Sequence, residues 1–350
     1  MPRFTGALCF SLALAALARP STADDLAELR RAFDYDARKP VDARLTLLRD
    51  EGGVKTYDLT YPSPRDGGMV TGFLIVPGGP GAQPRRGVSP RGPSAGIHFR
   101  REPPDAKGPF AGIVFGHWGP GNRTQFLPEA ALYAEAGAVS VLIDYPWVRP
   151  EPWRRNQGRG MKEAEKDRDS WIHAVVDLRR AFDLLESRPE VDRARLGYVG
   201  HSYGAQWGAI LAAVDKRMKA AVLVGGVPDM ESILMGDDPD LRAMREAYSK
   251  EEMEAYLRIN RPFDAIRYIG SAAPIPLLFQ FARHELSFGE ADMNRYYAAA
   301  SQPKEIRWYA TGHDLNDVRT LADRAGWLGP RIGLKPLRPL FEKRLEGLGR

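Results

Sequence analysis

Ser202 stands at the centre of Gly200-His201-Ser202-Tyr203-Gly204, between the apolar run Leu196-Gly197-Tyr198-Val199 and a helical run from Ala205 to Val214. Strand, tight turn and helix follow one another, with the hydroxyl at the apex. The glycines two before and two after the serine carry no Cβ, so strand and helix can close tightly on the turn. Such a strand-to-helix elbow presents a serine as a nucleophile. Serine alone is a weak nucleophile near neutral pH. A base must stand within hydrogen-bond reach, and a carboxylate must orient that base.

The elements that could supply these groups follow the elbow in chain order, serine first, then acid, then base. Of His98, His117, His173, His201, His284 and His313, only His284 and His313 lie well beyond Ser202. His313 sits in Gly312-His313-Asp314, between a short strand at Ile306 to Tyr309 and a helix predicted over Leu315 to Leu328, and is the predicted base. The strand Leu277 to Phe281 runs into Ala282-Arg283-His284-Glu285, which makes Glu285 the candidate acid. Its carboxylate would accept the His313 Nδ1 proton and leave Nε2 facing Ser202. Glu290 and Asp292, a few positions downstream, are the alternative acids.

A tetrahedral oxyanion needs two backbone N–H donors. One is expected from Tyr203, directly after the serine. The other is expected from the glycine-rich loop Phe115-Gly116-His117-Trp118-Gly119-Pro120-Gly121, with Trp118 first, Gly119 next, and Pro120 unable to donate. A second loop, Asp144 to Arg149, leaves the end of another strand. There Trp147 and Arg149 either line a substrate pocket or, in the case of Arg149 with Asp144, hold the loop in shape.

The positioning scaffold reads as alternating strands and helices. Strands are expected at Val54 to Tyr61 and Met69 to Val76, joined by a Pro/Gly-rich turn. Others are expected at 111–115, 138–143, 196–199, 220–224, 276–281 and 306–309. Helices are expected at 24–33, 128–136, 169–186, 205–214 and 315–328. Such alternation means a mostly parallel sheet covered on both faces, with any site at the strands' C-terminal edge. Residues 78–108, rich in Gly, Pro, Ser and Arg, form an irregular insertion. Residues 230–267, mostly helical and charged, form either a helical cap over the site or an extended crossover on the sheet.

The N-terminus reads Met1-Pro2-Arg3, then apolar and small residues to Ala18, then Ser21-Thr22-Ala23. This predicts a signal peptide over 1–23, cleaved after Ala23, and a secreted or periplasmic domain over 24–350. An uncleaved anchor is the alternative, although the apolar run falls short of the roughly 20 residues a bilayer span needs. Cys9 is the single cysteine and lies in that segment. The remainder can form no disulfide, thiolate metal site or cysteine nucleophile. A net charge of +5 over 350 residues is a mild excess, and no aromatic-interleaved basic stripe points to nucleic acid. No residue cluster calls for a metal or cofactor, and oligomeric state is not encoded in any visible pattern.

On Gly116-His117-Trp118-Gly119, Gly200 to Gly204, Phe279 to Glu285 and Gly312-His313, the chain resembles the α/β-hydrolase superfamily. Within it, the resemblance is to dienelactone-hydrolase-like and prolyl-oligopeptidase-like serine esterases. It implies cleavage of a small-molecule ester through an acyl-serine intermediate, without a cofactor. Peptide or amide cleavage is the second reading, and a non-catalytic binding protein on the same fold is the third. Dienelactone hydrolases proper carry cysteine at the elbow where Ser202 stands here. Prolyl oligopeptidases usually carry an N-terminal propeller, for which there is little room before Val54.

Overall fold

The computed structural model describes residues 23–65, 68–78, 108–155 and 161–341. The expected signal segment before Ala23 and nearly all of the 78–108 insertion lie outside the described residues. Nine strands form one sheet: β1 (Arg44–Glu51), β2 (Val54–Pro62), β3 (Met69–Pro77), β4 (Phe110–Gly116), β5 (Ala138–Ile143), β6 (Val191–His201), β7 (Met218–Val224), β8 (Leu277–Ala282) and β9 (Lys304–Tyr309). Their order across the sheet is β1-β2-β3-β5-β4-β6-β7-β8-β9. The edge from β1 to β5 pairs antiparallel, and every pairing from β5 through β4 to β9 is parallel.

The central strands read as they do because both of their faces are covered. Every residue of β4, β5 and β8 is buried, so these strands are apolar runs rather than alternations. Successive side chains enter two different cores. Tyr198, Ala221, Leu223, Phe279 and Phe281 face α3 (Ala164–Glu186) and α4 (Tyr203–Val214). Val199, Val222, Val224 and Leu278 face α2 (Leu127–Glu135) and α10 (Val318–Arg331). The first helix, α1 (Ala23–Arg30), precedes the sheet, and α9 (Glu290–Ala299) lies between β8 and β9.

Two elements depart from the sequence expectation. Strand β1 is unforeseen because Leu47 and Leu48 stand side by side, and the register with β2 slips between Leu47 and Arg49. That bulge erases the period-two pattern, and the strand is largely exposed. Helix α9 begins only five residues after Glu285, in a stretch to which the sequence assigns no element.

The 230–267 segment holds α5 (Met230–Leu234), α6 (Pro239–Ala247), α7 (Lys250–Asn260) and α8 (Ala265–Ile269). Helix α8 packs on α4, and α7 packs on α3. The turn between α5 and α6 leans on the loop after β8. There the Asp237 and Asp238 N–H groups both donate to Leu286 O, at 2.8 and 3.0 Å. A Cβ on Gly236 would lie 2.1 Å from Ser287 O, so only glycine fits that approach. The segment therefore packs on α3 and α4 as a crossover would, while also bracing the loop that carries Glu285. No helix of the described residues is long and apolar enough to cross a membrane.

Candidate active site

The elbow forms where β6 ends and α4 begins. Ser202 has φ 54° and ψ −112°, a backbone conformation that L-residues rarely adopt. The surroundings hold it there. Ser202 N–H donates to Val224 O at 2.8 Å, Gly204 N–H to His117 O at 3.0 Å, and Tyr198 Oη to Gly204 O at 2.7 Å. A Cβ on Gly200 would lie 2.3 Å from Gly204 O, and one on Gly204 would lie 2.1 Å from Gly116 O. Both clashes are with backbone that cannot swing aside. The two glycines are thus a packing requirement of the turn.

His313 lies beside this turn. Its ring stands 5.0 Å from the His201 ring, and a Cβ on Gly225 would be 3.4 Å from His313 Cε1. Its Nδ1–H donates to Glu285 Oε2 at 2.5 Å. The other oxygen, Oε1, accepts the Leu286 and Ser287 N–H groups at 3.0 and 2.9 Å. Burial alone would raise the Glu285 pKa. The hydrogen bond and charge of His313 and the bonds from Ser287 outweigh it, so the carboxyl ends below its ordinary value. The carboxylate fixes the tautomer that leaves Nε2 as the acceptor. Ser202 is 8% exposed, and its Oγ makes no hydrogen bond among the described residues.

The alternative acids are placed elsewhere. Asp292, in the first turn of α9, accepts from Arg295, Ser232 and the Gly289 N–H. Glu290 is exposed at the start of the same helix. Both carboxylates sit where a helix N-terminus favours negative charge.

The two expected oxyanion donors differ at rest. Tyr203 opens α4, and its N–H has no acceptor among the described residues. That is the free donor a helix N-terminus offers. The Trp118 N–H instead donates to Gln125 Oε1 at 2.8 Å. The Trp118 loop is held from beneath by His117, whose Nδ1–H donates to Trp118 O at 2.5 Å while Nε2 accepts from Tyr145 N–H at 3.1 Å. Burial pushes His117 down to about 3, against the pull of its bond to Trp118. Of the 144–149 loop, Trp147 reaches the site and donates to Gly119 O at 2.8 Å. Arg149 is fully buried, paired with Asp177 and bonded to Asp144 O at 3.2 Å, so it shapes the loop.

Residues outside the sequence reading complete the surroundings. His201 Nε2–H donates to His313 O at 2.8 Å, and Gln125 Nε2 donates to His201 Nδ1 at 2.7 Å. Leu315, two residues past His313, is non-glycine with φ 44°. Its carbonyl accepts from Thr320 Oγ1 at 2.7 Å and Arg324 Nη1 at 3.0 Å. Arg324 is held in turn by a bidentate pair with Glu129. A cavity of about 400 Å³ adjoins the site, walled by Trp118, Gln125, His201, Asp314, Glu129 and Arg324 among others, but not by Ser202, Glu285 or His313. No group of acidic, histidine or cysteine side chains among the described residues has the spacing to hold a metal ion.

No family model matches the chain. No curated protein matches it either. Solved structures do. An acetyl xylan esterase from a Thermoanaerobacterium species superposes with TM-score 0.66 at 16% identity, covering 89% of this chain and 94% of that one. An acetyl xylan esterase from a Paenibacillus species gives TM-score 0.61 at 20% identity, covering 83% and 87%. A puromycin hydrolase gives 0.57 at 16% identity, covering 85% of this chain and 41% of that one.

Proposed function

We propose that this chain, which has the α/β-hydrolase fold, is a serine hydrolase that cleaves carboxylic esters. One observation carries the reading: a serine forced to φ 54° at a strand-to-helix elbow directly follows His201, whose ring stands 5.0 Å from that of a histidine whose Nδ1 meets a buried carboxylate at 2.5 Å. Those are the groups nucleophilic acyl transfer needs.

In the reaction, Ser202 Oγ attacks the ester carbonyl carbon while His313 Nε2 takes its proton. The oxyanion rests on the Tyr203 N–H and, once it leaves Gln125, on the Trp118 N–H. The carbon–oxygen bond to the alcohol breaks as His313 returns the proton to the leaving oxygen. Water then loses a proton to His313 and attacks the acyl carbon, and Ser202 leaves with that proton. Glu285 stays ionised throughout and stabilises the imidazolium. The fold likeness to proteins named as esterases and hydrolases supports hydrolysis as the reaction type. The restriction to esters is this reading's own.

Ser202→Ala tests it. Turnover of p-nitrophenyl acetate is expected to fall by roughly 10⁴-fold or more, with the fold intact by circular dichroism. Unchanged turnover in the purified variant refutes the mechanism. A panel pairing each ester with its amide ranks ester over peptide cleavage, and a preference for the amide reverses that ranking. Covalent labelling of the wild type by a fluorophosphonate separates an enzyme from a binding protein on the same fold.

A further inference from the structure

The base loop and the Trp118 loop lie far apart in the chain, yet one hydrogen-bond chain joins them. We propose that Gln125 and His201 are positioning residues, clamping the His313 loop to the Trp118 loop through a chain with a single allowed direction. This rests on the serine-hydrolase reading, which it deepens.

The direction follows from chemistry. A backbone carbonyl only accepts, so His201 Nε2 carries the hydrogen toward His313 O. A neutral imidazole with a protonated Nε2 must accept at Nδ1, so Gln125 turns its amide nitrogen to His201. Its oxygen is then left for the Trp118 N–H. Each link therefore fixes the next. The chain fails if His201 takes a second proton, because two donors would then meet at Nδ1. The site guards against that. His201 is 2% exposed, and its charged groups in reach are His313, Arg324 from α10 and Glu285 from the acid loop, with Asp314 and Glu129 sharing the adjoining cavity. Burial, helped by His313, pushes its pKa down to about 3, so the imidazole stays neutral through the working range.

The chain also sets the resting state of the two oxyanion donors. The Tyr203 N–H has no acceptor among the described residues, whereas the Trp118 N–H is parked on Gln125. Gln125 thus holds the loop in register and gives up one bond when substrate arrives. A glutamine is suited to this, being a donor and an acceptor without charge. Glutamate can accept from Trp118 but cannot donate to a neutral His201.

Two substitutions at Gln125 test the clamp in the full-length protein with p-nitrophenyl acetate. Gln125→Met keeps the side chain's length and removes both bonds. We expect kcat to fall about tenfold with KM within about twofold, as a misplaced base requires. Gln125→Glu is expected to add an ionisation to the kcat profile. As pH falls, a protonated His201 can donate to Glu at 125 and to His313 O together, so the ratio of variant to wild-type kcat rises. A kcat in Gln125→Met equal to wild type, or a ratio flat with pH in Gln125→Glu, overturns the clamp. ¹⁵N shifts of the imidazoles, read in the Ser202→Ala protein, test the chain without turnover. His201 should show a protonated Nε2 and an unprotonated Nδ1; the reverse tautomer overturns the proposal even if the serine-hydrolase reading stands. Failure of Ser202→Ala to lose activity would instead remove that reading and leave the tautomer result to stand or fall alone.

Discussion

The elbow and the base loop each force a non-glycine residue to positive φ, Ser202 at 54° and Leu315 at 44°, but they are held by different means. The elbow is held by backbone. Its restraints are chiefly N–H to carbonyl bonds and glycine contacts too close for any Cβ, with one side chain, Tyr198, joining them through its Oη. The base loop is held by four side chains from three segments: Glu285 after β8, His201 at the end of β6, and Thr320 and Arg324 on α10, the last locked by Glu129. A backbone-held turn leaves a local motif in the sequence. A side-chain-held turn leaves no local trace of what holds it. The two should also break differently, the first by steric failure and the second by graded loosening.

The largest effect is expected at the elbow. Gly204→Ala would place a methyl 2.1 Å from Gly116 O, 2.5 Å from Gly116 C and 3.0 Å from His117 O. Strand β4 and helix α4 must separate, and both carry proposed oxyanion donors at their ends. Esterase activity should fall to the level of Ser202→Ala, with the variant largely insoluble or melting far below wild type. Wild-type melting and activity in Gly204→Ala would show that the elbow is not held by close packing.

The base loop should give a graded response. Arg324 and Glu129 are 3% and 5% exposed, so Arg324→Met leaves a buried carboxylate without its partner. Removing one member of a buried pair typically costs about 3–5 kcal/mol. Leu315 O also loses a donor. Denaturant unfolding should register the full cost, while kcat falls about tenfold and KM holds. The double variant Arg324→Met with Glu129→Leu should recover much of the stability, since no charge is left stranded. If it does not, the pair is more than a brace.

The same contrast explains what was legible in the sequence. Gly200, Ser202 and Gly204 announce the elbow because their spacing is the restraint. The covered strands β4 to β8 are legible as apolar runs, and the parallel sheet follows from their alternation with helices. Glu285 reads first among three candidate carboxylates. What separates it is a helix start: Gly289 N–H and Arg295 claim Asp292, and the sequence stretch over 290–299 gave no strong apolar stripe, since only Met293 and Tyr296 are buried. Gln125 and Arg324 carried no signal. A lone glutamine in an Asn-Arg-Thr-Gln loop and a lone arginine on an amphipathic helix look like solvated residues until the fold brings them to His201 and Leu315. Trp118 reads as the expected second donor, and its engagement with Gln125 leaves no trace in the sequence.

The smallest effect sharpens the comparison by pH. The acid titration of the site falls on two histidines, His201 beneath the base loop and His117 beneath the Trp118 loop, both pushed by burial to about 3. In the unfolded chain each titrates near 6.5. Between those values the unfolded state binds the proton and the folded state refuses it, so stability falls as pH drops below about 6.5 and levels off near the folded value. Each histidine contributes a slope of up to about 1.4 kcal/mol per pH unit. Glu285 adds to this at the acid end. Its pKa is below the ordinary carboxylate value, so its stabilisation is present above that value and is lost as pH falls through its own. Urea unfolding at pH 7, 6, 5 and 4 measures the slope. His201→Gln should flatten it by one histidine's share while leaving the share of His117. A slope unchanged by His201→Gln would mean that the buried imidazole takes up its proton as readily in the folded protein as in the unfolded chain, and the neutral His201 that the directional chain from Trp118 through Gln125 to His313 requires would then be lost below about pH 6.5.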